Sequence, residues 1–77
     1  MREPNEVLDL TGVPCPQNAA RSLMVLMTMD SGELLQITLD DGEPIDLVPE
    51  SIEDEDHRIL ERRQLEDTRW VLLVEVD

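Results

Sequence analysis

Hydrophobic residues follow two different spacings along the chain, and the change from one spacing to the other divides it into six elements. Hydrophobic and polar residues alternate in four segments, which predicts strands at residues 6–11, 33–39, 57–63 and 68–76. In two further segments the hydrophobic residues recur every three or four positions, which predicts helices at 16–29 and 43–54. Pro49 removes a backbone hydrogen bond inside the second helix, so a kink or an irregular first turn is expected there.

The order strand, helix, strand, helix, strand, strand predicts an α/β protein of the α+β type, a two-layer sandwich with both helices on one face of the sheet. The first two strands are joined through a helix and are expected to be parallel, whereas the last two form an antiparallel hairpin around residues 65–67. The sheet is therefore mixed. A chain of 77 residues is predicted to form a single domain over 1–77, with an ordered core at about 6–76.

The net charge of the chain limits the classes of molecule that can bind to it. The chain has 19 acidic residues and six basic ones, and its formal net charge is −13. Such a surface repels phosphate backbones and anionic lipids, so neither nucleic acid nor a membrane is expected as a partner. No apolar run approaches the roughly 18 residues that span a bilayer. The acidic run 53–56 lacks the alternating ligands and glycine of a calcium loop, and we interpret it as a solvated segment.

The chain has one cysteine, Cys15, which lies between Pro14 and Pro16 just before the first predicted helix. A single cysteine cannot form an internal disulfide, and no secretory leader opens the sequence, so a cytoplasmic location is expected. One cysteine and one histidine are too few for a structural zinc site, and we expect no metal.

The prolines indicate why a cysteine stands at this position. Pro16 disfavours helical torsions at Cys15, so Cys15 is expected to be the N-cap and Pro16 the first helical residue. The sulfur would then face helix amides that have no intrahelical partner, an arrangement that favours an anionic sulfur. The helix dipole contributes about 0.3–1 kcal/mol, so the expected activation is modest.

Several motifs together resemble one family. The segment "LDLTGVPCP", the "DD" after the second strand, a proline inside the second helix and His57 at the third strand resemble the TusA-like (SirA/YedF) sulfur-carrier proteins. The resemblance runs from about Leu8 to Val76. It implies a βαβαββ fold with a mixed four-stranded sheet of order 1-2-4-3 and two helices on one face. It also implies that Cys15 accepts sulfane sulfur as a persulfide, without a cofactor, and passes it to a partner protein.

The chain departs from the family's usual Cys-Pro-x-Pro motif at Asn18, which stands at the position of the second proline. The residues expected to support Cys15 are Pro14, Pro16, Asn18 and Arg21. Asn18 is expected in the first helical turn, where a proline loses no internal hydrogen bond. Asn18→Pro is therefore predicted to change stability by less than about 1 kcal/mol.

The sequence thus predicts a small monomeric sulfur carrier that exchanges sulfur with donor and acceptor proteins. Because the chain is so acidic, these partners are expected to be basic where they dock. Its turnover would be one step of a relay, which leaves its classification as a sulfurtransferase-type enzyme open. The alternative is a non-catalytic interaction or regulatory module that has the same fold and an acidic docking surface.

Overall fold

The computed structural model describes residues 3–66 and 68–77, and within them it contains the six elements in the predicted order. They are β1 (Glu6–Asp9), α1 (Gln17–Met27), β2 (Leu34–Leu39), α2 (Glu43–Asp54), β3 (Arg58–Gln64) and β4 (Trp70–Glu75). The bounds of α2 are those predicted, and the other elements differ from prediction by one or two residues at their ends. The predicted hairpin turn includes Asp67, which lies outside the described residues.

The sheet is mixed and has the order β1-β2-β4-β3. Strand β1 pairs with β2 in parallel, with Leu8 opposite Ile37, and β4 pairs with β2 in the antiparallel sense, with Leu72 also opposite Ile37. Strand β3 forms the edge, where its register against β4 shifts between Ile59 and Glu61. The predicted α+β class and strand order are both confirmed.

The core is an aliphatic layer between the sheet and the two helices. Because side chains alternate across a strand, every second residue of the two central strands faces the helices, and apart from the partly buried Trp70 these positions are fully buried: Leu35, Ile37, Leu39, Leu72 and Val74. The helices contribute the buried residues Leu26, Ile45, Val48 and Ile52. Both helices therefore cover the same face of the sheet.

Helix α2 is continuous through Pro49, so the expected kink does not interrupt it. Pro49 is itself buried, between Val48 and Ile52 on the face that packs against the sheet. Burial of this face stabilises the helix, which explains why it tolerates the missing backbone donor. Neither α1 nor α2, the two helices of the described residues, is long and apolar enough to cross a membrane.

Trp70 joins the turn before α2 to the sheet. Its indole N–H donates to the carboxylate of Asp41 at 2.9 Å, and the guanidinium of Arg62 lies 5.2 Å from the ring centroid. Arg62 also approaches Asp46 of α2 at 4.0 Å. These contacts join the start of α2 to the end of β2 and the start of β4.

Candidate functional site

Cys15 lies in the segment that connects β1 to α1, and its side chain is half-buried. The carboxylate of Asp9 accepts hydrogen bonds from the backbone N–H and the hydroxyl of Thr11. The next amide, of Gly12, donates to the carboxylate of Asp40 at 2.7 Å. Gly12 has φ +79°, a conformation that favours glycine. The segment of chain that leads from β1 to Cys15 is therefore held by hydrogen bonds at the ends of both β1 and β2.

The hydrogen bonds at this turn affect the titration of Asp9. The Thr11 hydroxyl, then the Thr11 backbone N–H, and finally the charge of Arg69 hold the pKa of Asp9 below its ordinary value. The ionised carboxylate is the form that binds Thr11, so the turn is most stable when Asp9 is charged.

Helix α1 begins one residue later than predicted. Pro16 is the N-cap, with φ −92° and ψ 9°, and Gln17 is the first helical residue. The Cys15–Pro16 peptide bond is cis. Cys15 is therefore not the N-cap, and the expectation that it caps the helix is wrong.

The first helix amides are also not open toward the sulfur. The Asn18 N–H donates to the Pro14 carbonyl at 3.1 Å, and the Ala20 N–H donates to the Pro16 carbonyl at 3.1 Å. The Ala19 N–H donates to the side-chain oxygen of Asn18 at 2.7 Å. The amides of Asn18 and Ala19, which have no intrahelical backbone partner, are therefore not available to the thiol as expected, because the preceding loop and the Asn18 side chain supply their acceptors.

The group that does contact the sulfur is the side-chain amide of Asn18. Asn18 is fully buried, and its Nδ2 donates to Cys15 Sγ at 3.1 Å. Its backbone carbonyl accepts a hydrogen bond of 2.9 Å from the buried hydroxyl of Ser22. Sequence reasoning named Asn18 as a supporting residue but missed this contact. The spacing of Asn18, Ser22 and Leu26 along the buried face of α1 is the signal that could have indicated it.

Two cavities border Cys15. One, of about 240 Å³, lies between the start of α1 and the α2 residues Leu47, Glu50, Ser51 and Asp54. The other, of about 410 Å³, lies between the segment Gly12–Cys15 and the turn that leads into α2. Among the described residues, the charged groups that border these cavities are all carboxylates: Asp40, Asp41, Glu43, Glu50 and Asp54. The thiol therefore lies between two acidic walls, which sequence reasoning did not assign to the site.

The structure brings Pro14, Pro16 and Asn18 together with Cys15, because all three border one or other of the two cavities. Arg21 is exposed on α1 and is absent from the described lining of both cavities. His57 accepts a hydrogen bond of 3.1 Å from the Asp77 N–H. Within residues 3–66 and 68–77, no three His, Cys, Asp or Glu side chains are arranged to hold a metal ion.

The fold and the site together define a small α+β protein that presents a half-buried cysteine at the start of its first helix. The family model described as "Sulfurtransferase TusA" matches residues 6–76. The chain therefore belongs to the TusA family.

Individual relatives agree with this assignment. A protein of Archaeoglobus fulgidus named "Putative sulfur carrier protein" is 35% identical over 72 residues, which cover 94% of this chain and 82% of that protein. A Thermotoga maritima protein with the same name is 25% identical over 71 residues, which cover 92% of this chain and 90% of that protein. The crystal structure of a SirA-like protein from Desulfitobacterium hafniense has a TM-score of 0.79 at 14% identity, covers 91% of this chain and 95% of its own, and shares the fold.

The structure reverses the expectation for Asn18→Pro. Proline removes the N–H that binds the Pro14 carbonyl, together with the amide that binds Cys15 Sγ. We expect a loss of about 1–3 kcal/mol in the free energy of unfolding, measured by urea denaturation. Asn18→Ala is the matched control, because it removes the side-chain contacts and keeps the backbone donor. Equal stability of the two variants would contradict a role for the backbone hydrogen bond.

The lowered pKa of Asp9 predicts a pH-dependent contribution to stability. A carboxyl with a depressed folded-state pKa stabilises the fold above its unfolded-state pKa, and this stabilisation is lost as the pH falls through the folded-state value. Asp9→Asn should therefore be less stable than the parent protein near neutral pH. The difference should vanish in acid, below the ordinary range of an aspartate. Urea midpoints measured for both proteins across this range test the prediction, and a difference that persists in acid would contradict it.

Proposed function

We propose that this chain is a sulfur carrier that accepts sulfane sulfur as a persulfide on Cys15 and passes it to a partner protein. Membership of the TusA family and the relatives named above support a sulfur-carrier role. The observation that carries the proposal is the position of Cys15. Its side chain is half-buried, it borders two open cavities, and its sulfur accepts a hydrogen bond from Asn18.

The chemistry needs no cofactor and no external oxidant. In loading, the Cys15 thiolate attacks the outer sulfur of a donor persulfide, and the donor cysteine leaves as a thiolate. In discharge, a nucleophile of the acceptor attacks the outer sulfur on Cys15, and the sulfur–sulfur bond breaks so that Cys15 leaves as a thiolate. One sulfur atom moves in each step, and the chain acts as a sulfurtransferase-type catalyst only as one link of the relay. Pro14 and Pro16 restrict the backbone on both sides of the thiol.

The acidic walls indicate what kind of protein can dock. The carboxylates beside Cys15 repel an acidic partner and attract a basic one, so the donor and the acceptor are proposed to be basic where they approach the thiol. We further propose that the protein acts as a monomer in a reducing cytoplasm, where its thiol stays available. The basic residue named from the sequence, Arg21, is exposed on α1 and is available to a docked partner.

A second candidate is a docking module of the same fold that carries no sulfur. The observation that favours it is the acidic surface around Cys15, which can bind a basic protein whether or not the cysteine reacts. The two candidates differ in a covalent product. Only the carrier gains a sulfur atom on Cys15.

Cys15→Ser separates them. We expect the parent protein, after incubation with inorganic polysulfide, to gain the mass of one or more sulfur atoms, and a reductant to remove them. The serine variant should gain none, while its circular dichroism and urea midpoint stay close to those of the parent. Intact mass spectrometry measures the gain. A parent protein that gains no sulfur, or a serine variant that gains as much, would overturn the carrier assignment.

The acidic walls can be tested with small reagents before any partner is known. A cationic methanethiosulfonate should modify Cys15 about two- to fivefold faster than an anionic one, because the carboxylates concentrate cations at the thiol. The ratio should fall as salt rises, since charges are screened over about 10 Å at 0.1 M. Glu50→Gln with Asp54→Asn should reduce the ratio.

The matched control is Glu53→Gln with Glu55→Gln, which removes the same charge from exposed positions that do not border either cavity at the thiol. If both double variants lower the ratio of the two modification rates equally, the effect comes from the net charge of the protein, and the carboxylates beside Cys15 have no local effect.

A further inference from the structure

The contact between Asn18 and Cys15 is oriented by its surroundings. The Ala19 N–H donates to Oδ1 of Asn18 at 2.7 Å, so reversal of the amide would set two donors against each other. Nδ2 must therefore face Cys15 Sγ, which lies 3.1 Å away. Both Asn18 and Ser22 are fully buried, and the Ser22 hydroxyl donates to the backbone carbonyl of Asn18, not to its side chain. The donor is fixed before any sulfur arrives.

A buried amide donor is costly unless its acceptor is good. A neutral thiol is a weak acceptor, whereas a hydrogen bond to an ionised acceptor is roughly twice as strong as one between neutral groups. The Asn18 amide therefore favours the anionic form of the sulfur over the neutral form. This preference comes from one short contact, independent of the backbone amides of Asn18, Ala19 and Ala20, which have other acceptors.

We propose that Asn18 is a catalytic residue that stabilises the Cys15 thiolate and thereby speeds the release of sulfur, a role that rests on the function proposed above. During discharge the nucleophile bonds to the outer sulfur, the sulfur–sulfur bond breaks, and its electron pair stays on Cys15 Sγ. The Asn18 amide donates to the atom that receives this pair. A better stabilised thiolate is a faster leaving group.

Loading and discharge respond differently to the same hydrogen bond. In loading, Asn18 raises the fraction of thiolate but lowers the nucleophilicity of each thiolate, so the two effects partly cancel. In discharge, stabilisation of the leaving thiolate has no such opposing effect. Removal of the donor therefore slows discharge more than loading, a pattern that loss of packing alone does not produce.

The test uses two variants that lack the donor, Asn18→Ala and Asn18→Leu, the second being closer to Asn18 in size. Ser22→Ala is the control, because it removes a buried hydroxyl one turn further along α1 that does not contact the sulfur. Urea denaturation establishes that each protein is folded. If Asn18→Leu does not fold, the measurements on Asn18→Ala test the proposal.

Three quantities are measured: the rate of loading, the rate of discharge and the pH profile of alkylation. Each protein is loaded with inorganic polysulfide, and cyanide is then added. Cyanide attacks the outer sulfur to form thiocyanate, and Cys15 is the leaving group, released as a thiolate. We expect thiocyanate release to slow by about three- to tenfold in both Asn18 variants, the effect of one lost hydrogen bond, with a smaller change in loading rate. The pH profile of alkylation by neutral iodoacetamide, which needs no sulfur loading, should move to higher pH. Ser22→Ala should leave both rates within about twofold of the parent and should not shift the alkylation profile.

The proposal would be overturned if folded Asn18 variants released thiocyanate as fast as the parent protein. It would also be overturned if Ser22→Ala slowed the release as much as the Asn18 variants do. If the parent protein loads no sulfur, the function proposed above fails, and the alkylation profile then decides alone. A shift in the profile keeps Asn18 as the donor that stabilises the thiolate, and an unchanged profile removes that role.

Discussion

The aliphatic layer between the two central strands and the two helices is the constraint on which the rest of the structure depends. The chain has one aromatic residue and no disulfide, and a domain of this size buries only about 60% of the surface that its unfolded chain exposes. Its stability must therefore come from close packing of leucine, isoleucine and valine side chains, all fully buried at the centre of β2 and β4. Because both helices pack on the same face, α1 and α2 are held side by side.

The position of Cys15 follows from this packing. The parallel pairing of β1 with β2 brings the end of β1 beside the turn after β2, where Asp40 accepts the Gly12 N–H. Trp70 holds the same turn through Asp41. Helix α2 leaves this turn and runs past the start of α1. The cysteine therefore lies where a loop, a turn and two helices meet, and the rigid layer beneath them fixes its surroundings.

Two opposing electrostatic effects act on the sulfur. The carboxylates of the cavity walls disfavour an anion, but Glu50 and Asp54 are exposed, and water screens their effect. The fully buried side-chain amide of Asn18 donates directly to the sulfur at 3.1 Å, and we propose that it favours an anion there. The contact acts on the sulfur itself, whereas the walls act chiefly on whatever approaches it. The two proposed effects are therefore compatible, because one acts on the sulfur and the other on an approaching protein.

The sequence by itself determined the elements and their layering. The two-residue period of β2 and the helical spacing around Ile45 and Val48 depend on local geometry, so they specify which face is buried without knowledge of the partner element. The "LDLTGVPCP" motif likewise identified Cys15 and the family.

Tertiary structure decided the surroundings of the thiol. The N-cap is Pro16, so the expectation of a capping cysteine is wrong. The Asn18 N–H has its acceptor in Pro14, which changes the prediction for Asn18→Pro. The acidic wall from α2 is about 35 residues from Cys15 in sequence, and only the packing of the two helices brings it to the sulfur. Period and composition describe one segment at a time, whereas hydrogen-bond acceptors and neighbouring charges depend on how separate segments meet.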